Sequence, residues 1–327
     1  MVKNIRQKLY QMFILGLDGT KLNTNPNIVA ALKEGLGGVI FFTQNIQSVE
    51  QIKTLINDIK SKSQITPFLS IDQEGGRVER TENIFGGKKY LSAKFAAEKG
   101  TAFLKNQTEQ ISLLLKDFGI NLNFAPCLDV NTNPNNPIIG ERAFSNETND
   151  VIKFGKIVIK AYLQNGIMPC TKHFPGHGDA SVDSHITLPK MDLSLEEMEK
   201  YHIKPFNEVD SPMIMIAHMH CSAFDKEEIP SSLSKNVISY LREKLNYQGL
   251  VITDDMVMGG VLGLDATQAC TKAIKAGVNI LLYRNSYDET IQIIENLALL
   301  AEKDEDLLKN INDSFEKITK AKNKYLG

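Results

Sequence analysis

Residues 36–72, LGGVIFFTQNIQSVEQIKTLINDIKSKSQITPFLSID, contain the pattern that decides the fold. An apolar run at 36–42 is followed by a segment of helical period at 48–60, and a second apolar run at 67–72 ends in an aspartate. Runs that are apolar throughout, rather than alternating with polar residues, are typical of parallel strands covered on both faces. The stretch therefore predicts a strand–helix–strand unit.

The same alternation continues along the rest of the chain. Further apolar runs lie at 12–17, 120–125, 167–171, 213–217, 249–253 and 278–282. Further segments of helical period lie at 93–118, 147–165, 194–208, 234–246, 266–276 and 287–302. Ser194, with Glu197 three residues later, predicts a capping box at the start of one helix.

Eight strands alternating with helices predict an α/β fold. We expect a single-domain (β/α)8 TIM barrel over 1–327, in which the first or second strand can be irregular. A doubly wound open sheet remains the alternative, because periodicity does not show whether a sheet closes.

Composition narrows the classes of partner. The chain has 37 Lys and Arg against 39 Asp and Glu, a net charge of −2, which gives no electrostatic reason to bind nucleic acid or an anionic membrane. The four cysteines are far apart and form no C-x-x-C pair, so we expect small buried hydrophobes rather than disulfides or a zinc site. The apolar run at 12–17 is too short for a signal peptide, so we expect a cytoplasmic location.

Polar residues collect where the predicted strands end, which is where barrel enzymes carry their chemistry. Asp72 opens DQEGGRVER and offers an acceptor for sugar hydroxyls, and one of Arg77 and Arg80 is expected to face the site. Asp254 and Asp255 follow the seventh apolar run. We expect Asp254 to attack an electrophile or stabilise a cation and Asp255 to have a structural role.

The loop after the fifth apolar run, KHFPGHGDASVDSH at 172–185, holds three of the six histidines. Loops that concentrate His and Asp in this way usually carry function. Asp183 and His185 are two residues apart, and a carboxylate beside an imidazole favours its protonated form. His185 is therefore a candidate general acid.

Two other interpretations of the histidines stay open. A metal-dependent amidohydrolase barrel would use His173, His177, Asp179 and His185. No H-E-x-x-H or other standard metal spacing is present to support it. His218 and His220 follow the sixth run, and a structural role for them is as reasonable as a functional one.

Five motifs resemble one known family. They are SIDQEGGRVER, NFAPCLDV, IIGERAFS, KHFPGHGDASVDSH and VITDDMVMGG, and they occur in the family's order over about 8–300. Together they resemble glycoside hydrolase family 3, in its bacterial β-N-acetylglucosaminidase branch. The resemblance implies a barrel and a retaining double displacement, with Asp254 as nucleophile, His185 as acid/base and Asp183 as its dyad partner. The sugar-binding positions that it implies are Asp72, Arg80, Arg142, Lys172 and His173.

The resemblance also implies a function. It predicts a hydrolase that removes terminal β-linked N-acetylglucosamine from peptidoglycan-derived muropeptides during cell-wall recycling. The expected partner is this small carbohydrate, with no nucleic acid, membrane, metal or organic cofactor, and the chain is expected to act as a monomer. A β-glycosidase of other sugar specificity and a sugar-binding barrel without catalysis remain alternatives.

Overall fold

Parallel strands form one closed sheet in the computed structural model, which describes residues 2–180, 188–258, 261 and 263–326. The strands of these described residues are β1 Phe13–Gly16, β2 Gly38–Phe41, β3 Phe68–Ile71, β4 Leu122–Asn123, β5 in two segments at Met168–Pro169 and Thr171–Phe174, β6 Met213–Ile216, β7 Leu250–Asp255 and β8 Ile280–Tyr283. Each falls within or next to an apolar run of the sequence. The residues of β1, β2, β3, β6 and β8 are buried throughout.

The sheet closes at β5. Strand β1 pairs with both β2 and β8, so the first and last strands are neighbours. The first segment of β5 pairs with β4, and its second segment pairs with β6. The predicted TIM barrel is therefore confirmed, and the open sheet is excluded. Strands β1 and β2 pair without a shift of register. The irregularities in the described residues include the interruption of β5 at Cys170 and a shift of register in β7.

The described helices surround this barrel. They are Val2–Gln11, Pro26–Lys33, Val49–Lys62, Ala93–Glu98, Thr101–Phe118, Thr148–Gln164, Leu195–Glu197 continued by Met198–Ile203 and Lys204–Glu208, Lys235–Ser239 continued by Tyr240–Lys244, Ala266–Ala276, Asp288–Ala301 and Glu305–Tyr325. The helix predicted at 93–118 is divided at Gly100, whose φ of 96° favours glycine. The capping box is confirmed: the Glu197 N–H donates to Ser194 Oγ, and the Ser194 N–H donates to Glu197 Oε2.

The structure also bears on the cysteines. All four cysteines are buried and free, as predicted. No helix in the described part of the chain is both long enough and apolar enough to cross a membrane.

Candidate active site

A cavity of about 270 Å³ lies at the C-terminal ends of the barrel strands. Its polar and charged lining residues are Asp72, Glu74, Arg80, Arg142, Lys172, His173, His177, Asp254, Asp255 and Arg284. Its apolar lining residues are Ile40, Phe42, Val78, Ile138, Met215, Met258 and Leu282. The predicted site residues within the described ranges all line this cavity: Asp72, Arg80, Arg142, Lys172, His173 and Asp254.

A change of register positions Asp254. Ile252 of β7 is opposite Ile280 of β8, whereas Asp255 is opposite Leu282, so β7 has one extra residue between the two pairs. An extra residue of this kind bends a strand and redirects its side chains, and such bulges are common beside active sites. Asp254 lies within the bulge and lines the cavity.

The surroundings of Asp254 keep its carboxyl ionised. Burial opposes ionisation, but the imidazoles of His173 and His218, the N–H of Asp255 and the Lys172 ammonium together hold the pKa of Asp254 below its ordinary value. The Asp255 N–H donates to Asp254 Oδ1 at 2.8 Å. An ionised carboxylate is the form needed to attack an electrophile or to stabilise a cation.

The neighbouring Asp255 is engaged in a different way. Its Oδ1 accepts hydrogen bonds from the backbone N–H groups of Val257 and Arg284, and its Oδ2 lies 3.4 Å from Arg284 Nε. Burial nevertheless raises the pKa of Asp255 to about 6. These contacts fix the turn after β7, which agrees with the structural role expected for Asp255.

Lys172 and Arg142 are tied together by buried carboxylates. Lys172 Nζ lies 2.7 Å from Asp72 Oδ1 and 2.6 Å from Glu74 Oε1. Arg142 binds Glu74 with two parallel bonds, from Nε to Oε2 and from Nη2 to Oε1, both 2.9 Å long. Burial opposes charge at Lys172, but Asp72 and Glu74 outweigh it and raise the pKa of the ammonium. Both cations therefore stay charged in the cavity wall.

Asp129, which is fully buried, holds the end of β5. Its Oδ2 lies 2.6 Å from His173 Nδ1 and accepts the His173 backbone N–H, and its Oδ1 accepts the backbone N–H of His177. The pairing of β5 with β6 shifts register between Thr171 and Phe174, and the Lys172–His173 peptide bond in this stretch is cis. Lys172 and His173, although adjacent, both line the cavity.

The amidohydrolase alternative can be compared with this geometry. Within the described ranges, one set of metal-ligating atoms lies close together, that of Cys127, Asp129 and His173. These atoms already bond one another: Cys127 Sγ donates to the Asp129 oxygen that faces His173. Burial raises the pKa of the Cys127 thiol well above its usual range, which disfavours the thiolate that a metal needs. Asp179 instead accepts a hydrogen bond from Thr132, and it does not join His173 and His177.

Of the two candidate arginines after β3, Arg80 faces the cavity. Its guanidinium lies over the ring of Phe42, 5.6 Å from the centroid, and its backbone N–H donates to Gln73 Oε1. Arg77 is exposed and donates to the carbonyl of Pro137. Gly75 begins the tight turn to Val78, which contains Arg77, and the turn requires glycine since its φ is 92° and a Cβ there would lie 2.4 Å from the Leu91 carbonyl oxygen.

The loop that carries the predicted acid is described only at its two ends. Asp183 and His185 lie outside the described residues. Before them, the carbonyl of His177 accepts a bond from Asn136 Nδ2, and Gly178 is so close to Val130 that a Cβ would lie 1.8 Å from the Val130 carbonyl oxygen. After them, Lys190–Met191 pairs with His220–Cys221 in a small parallel sheet.

The two histidines after β6 have different positions. The buried His218 lies 2.6 Å through Nδ1 from Ser232 Oγ and 3.1 Å through Nε2 from the carbonyl of Asp255. It thus supports the turn beside Asp254. His220 is part of the small sheet and does not line the cavity. These contacts favour the structural role that the sequence left open for both histidines.

Sequence reasoning missed Glu74 and Arg284 and did not give a role to Asp129. A signal for Glu74 was present, because it follows Asp72 by two residues and alternate residues of an extended segment share a face. No signal of this kind connects Asp129 with His173, which lies 44 residues further along the chain.

Two known proteins resemble this chain in sequence. A beta-hexosaminidase from Haemophilus influenzae is 33% identical over 274 residues, covering 81% of this chain and 77% of its own length. Beta-hexosaminidase A from Pseudoalteromonas piscicida is 36% identical over 320 residues, which cover 88% of this chain but only 53% of that protein. The chain therefore spans about half the length of this second relative.

A solved structure shows the same fold. The glycoside hydrolase family 3 beta-N-acetylglucosaminidase from Paenibacillus sp. str. FPU-7 superposes with a TM-score of 0.91 at 28% identity, covering 98% of this chain and 62% of that one. The sequence pattern of the glycosyl hydrolase family 3 N-terminal domain matches residues 4–321. Both the sequence and the barrel thus show that the chain belongs to glycosyl hydrolase family 3.

Proposed function

We propose that the chain, acting as a single catalytic domain, is a retaining exo-β-N-acetylhexosaminidase that removes terminal β-linked N-acetylglucosamine. The observation that carries the proposal is the position of Asp254, at the C-terminal end of β7 and in the lining of a cavity of about 270 Å³. This volume is at the lower end for a small-molecule site, which favours one terminal sugar over a longer chain. The relatives' names, beta-hexosaminidase and beta-N-acetylglucosaminidase, support the choice of sugar.

In the proposed reaction, Asp254 attacks the anomeric carbon while the glycosidic oxygen leaves as a hydroxyl. A covalent glycosyl ester forms, and water then displaces Asp254 from the same carbon, so the β configuration is retained. Asp72, Arg80, Arg142, Lys172 and His173 hold the sugar hydroxyls. Fixing the ring in this way lowers the entropic part of the barrier.

The leaving oxygen needs a proton, and we assign it to His185 with Asp183 as its partner. The described carboxyl groups of the cavity are poor donors. Asp72 is bound to Lys172, and Arg142 and Lys172 hold the pKa of Glu74 well below its usual range. Asp255, with a pKa of about 6, is the strongest rival, but one of its oxygens already accepts two backbone N–H groups. An imidazole beside a carboxylate fits the task near neutral pH.

For the natural substrate we propose N-acetylglucosaminyl muropeptides, cleaved in the cytoplasm during peptidoglycan recycling. Such a leaving group carries carboxylates. Arg284 lines the cavity with about half of its side chain exposed, and it is a cation available to such a group.

The test is an assay with an aryl N-acetyl-β-glucosaminide and the matching aryl β-glucoside, each with and without a chelator. We expect turnover of the first substrate, retention of the β configuration by NMR, and no effect of the chelator. Faster cleavage of the glucoside would favour the other sugar specificity, and loss of activity with the chelator would favour the amidohydrolase-type barrel. Binding of N-acetylglucosamine without any turnover would favour a sugar-binding barrel.

A further inference from the structure

Glu74 is buried between two cations that face the sugar cavity. Its side chain is 5% exposed, and its Oε1 lies 2.6 Å from Lys172 Nζ and 2.9 Å from Arg142 Nη2. Its Oε2 accepts from Arg142 Nε, also at 2.9 Å. Within the described ranges, it is the carboxylate that bonds both cations, whereas Asp72 bonds Lys172 alone.

This position makes Glu74 a permanent anion. Burial opposes its ionisation, but Arg142 and Lys172 outweigh burial and hold the pKa of Glu74 well below its usual range. It therefore does not exchange a proton with substrate near neutral pH. Its charge instead offsets two buried cations that would repel each other, and unpaired buried charges are strongly destabilising.

Glu74 also fixes which atoms Arg142 presents. With Nε and Nη2 bound to Glu74, the Nη2 group also lies 3.3 Å from His173 Nε2. The other ring nitrogen, Nδ1, lies 2.6 Å from Asp129 Oδ2. Arg142 and Asp129 thus hold the His173 ring from its two sides.

We propose that Glu74 is a positioning residue for the sugar. It holds Lys172 and Arg142 in the geometry that receives the hydroxyls, and through Arg142 it sets the ring of His173. The proposal rests on the proposed function, because it assigns the work of these three side chains to substrate binding.

The matched test uses E74Q and E208Q. Glu208 also lies between two lysines, Lys156 at 3.5 Å and Lys204 at 4.0 Å, but it is on the surface. For E74Q we expect kcat/KM for the aryl N-acetyl-β-glucosaminide to fall by about 100-fold, the scale of a small misplacement in an active site, with a rise in KM. We expect E208Q to behave as the wild type. Equal activity of E74Q and E208Q would overturn the proposal.

The split between KM and kcat separates positioning from general destabilisation. E74Q leaves Asp254 and His185 unchanged but loosens the two cations that receive the sugar, so its loss should fall mainly on KM, whereas a smaller fraction of folded enzyme would lower the apparent kcat and leave KM unchanged. E74D keeps the charge with a shorter side chain, so its KM should lie between those of the wild type and E74Q. An E74Q loss confined to kcat would count against the role.

A double-mutant cycle tests the route through Arg142. If Glu74 acts in part by holding Arg142, E74Q should cost less activity in an R142M background than in the wild type, and independent, multiplying effects would contradict it. The same cycle in urea unfolding needs no substrate and should also be non-additive. If the wild type cleaves no hexosaminide, the proposed function fails, and the unfolding cycle still decides whether Glu74 and Arg142 are coupled.

Discussion

At the mouth of the barrel Lys172 is buried between carboxylates, whereas at the opposite end Lys322 is buried among neutral groups. Lys322 lies on the C-terminal helix, and its Nζ donates to Gln11 Oε1 and to the carbonyl of Gly37, both at 2.9 Å. It also lies over the ring of Phe68, 4.9 Å from the centroid. The surroundings of Lys172 raise the pKa of its ammonium, whereas burial lowers the pKa of Lys322 to about 7.

The cavities at the two ends of the barrel differ in size, and the larger one lies at the end opposite the predicted site. A groove of about 600 Å³ lies at the bottom, lined by the loops before β6 and β7 and by the helix Glu305–Tyr325, and it is larger than the catalytic cavity. None of the predicted site residues within the described ranges lines it. Paired buried charge, rather than size, therefore distinguishes the end of the barrel where we propose that the chemistry takes place.

The largest expected effect in this comparison is at Asp254. D254N removes the nucleophile, so kcat should fall on the order of 10⁶-fold, as when a protease loses the residue that forms its covalent intermediate. The fold should remain, which circular dichroism would show. A fluoro-sugar trap followed by mass spectrometry should label the wild type on Asp254.

The control for Asp254 is K320M, an exposed lysine that lines the bottom groove. Its activity should match the wild type, because substitutions of exposed residues rarely change the free energy of unfolding by more than about 0.5 kcal/mol. If K320M lost as much activity as D254N, the distinction between the two ends would be contradicted. A sugar trapped on another residue would identify that residue, rather than Asp254, as the nucleophile.

The second largest effect would show whether His185 or Asp255 donates the proton to the leaving oxygen. H185A should slow cleavage of a poor leaving group, such as an alkyl glycoside, by about 10²–10⁴-fold, because that leaving oxygen needs the proton. An activated nitrophenyl glycoside should be slowed far less at the cleavage step. D255N should show no such dependence on the leaving group, and if D255N rather than H185A shows it, Asp255 is the acid.

The fold could be predicted from the sequence because strands covered on both faces are continuously apolar, as in VIF within β2 and MIMI in β6. Closure could not, because periodicity does not say which strands are neighbours. The break in β5 at Cys170 was hidden for the same reason, since IMPCT is apolar across it. The site was predictable where a polar residue directly ends an apolar run, as at Asp72 and Asp254.

The charge pairing within the site was not predictable. Glu74 and Arg142 are 68 residues apart in the chain. In addition, the sequence around a buried glutamate in a polar motif does not differ from that around an exposed one. Lys322 was equally hidden, because a lysine near the end of a basic helix is usually exposed. Both assignments depend on which chain segments meet, and this information exists only in the folded chain.

The smallest expected effect on activity is at Lys322, and it appears in stability instead. In the unfolded chain this lysine titrates near 10.5, and in the folded chain near 7. Between these values the unfolded state binds more protons, so this residue makes the free energy of unfolding rise with pH, with most of the change between pH 7 and 10. Below pH 7 both states are protonated, and the full cost of burying the charge remains.

K322M removes this dependence, although it also leaves the oxygens of Gln11 and Gly37 without their donor. The stability of the wild type relative to K322M should therefore increase by about 2 kcal/mol between pH 7 and 9, whichever protein is more stable at pH 7. Urea unfolding at three pH values measures this difference, and K320M on the same helix, whose lysine is exposed, should show none. A difference that does not change with pH would mean that the two carbonyl oxygens and the Phe68 ring keep Lys322 charged. The two ends of the barrel would then differ in the partners of their buried lysines but not in their charge.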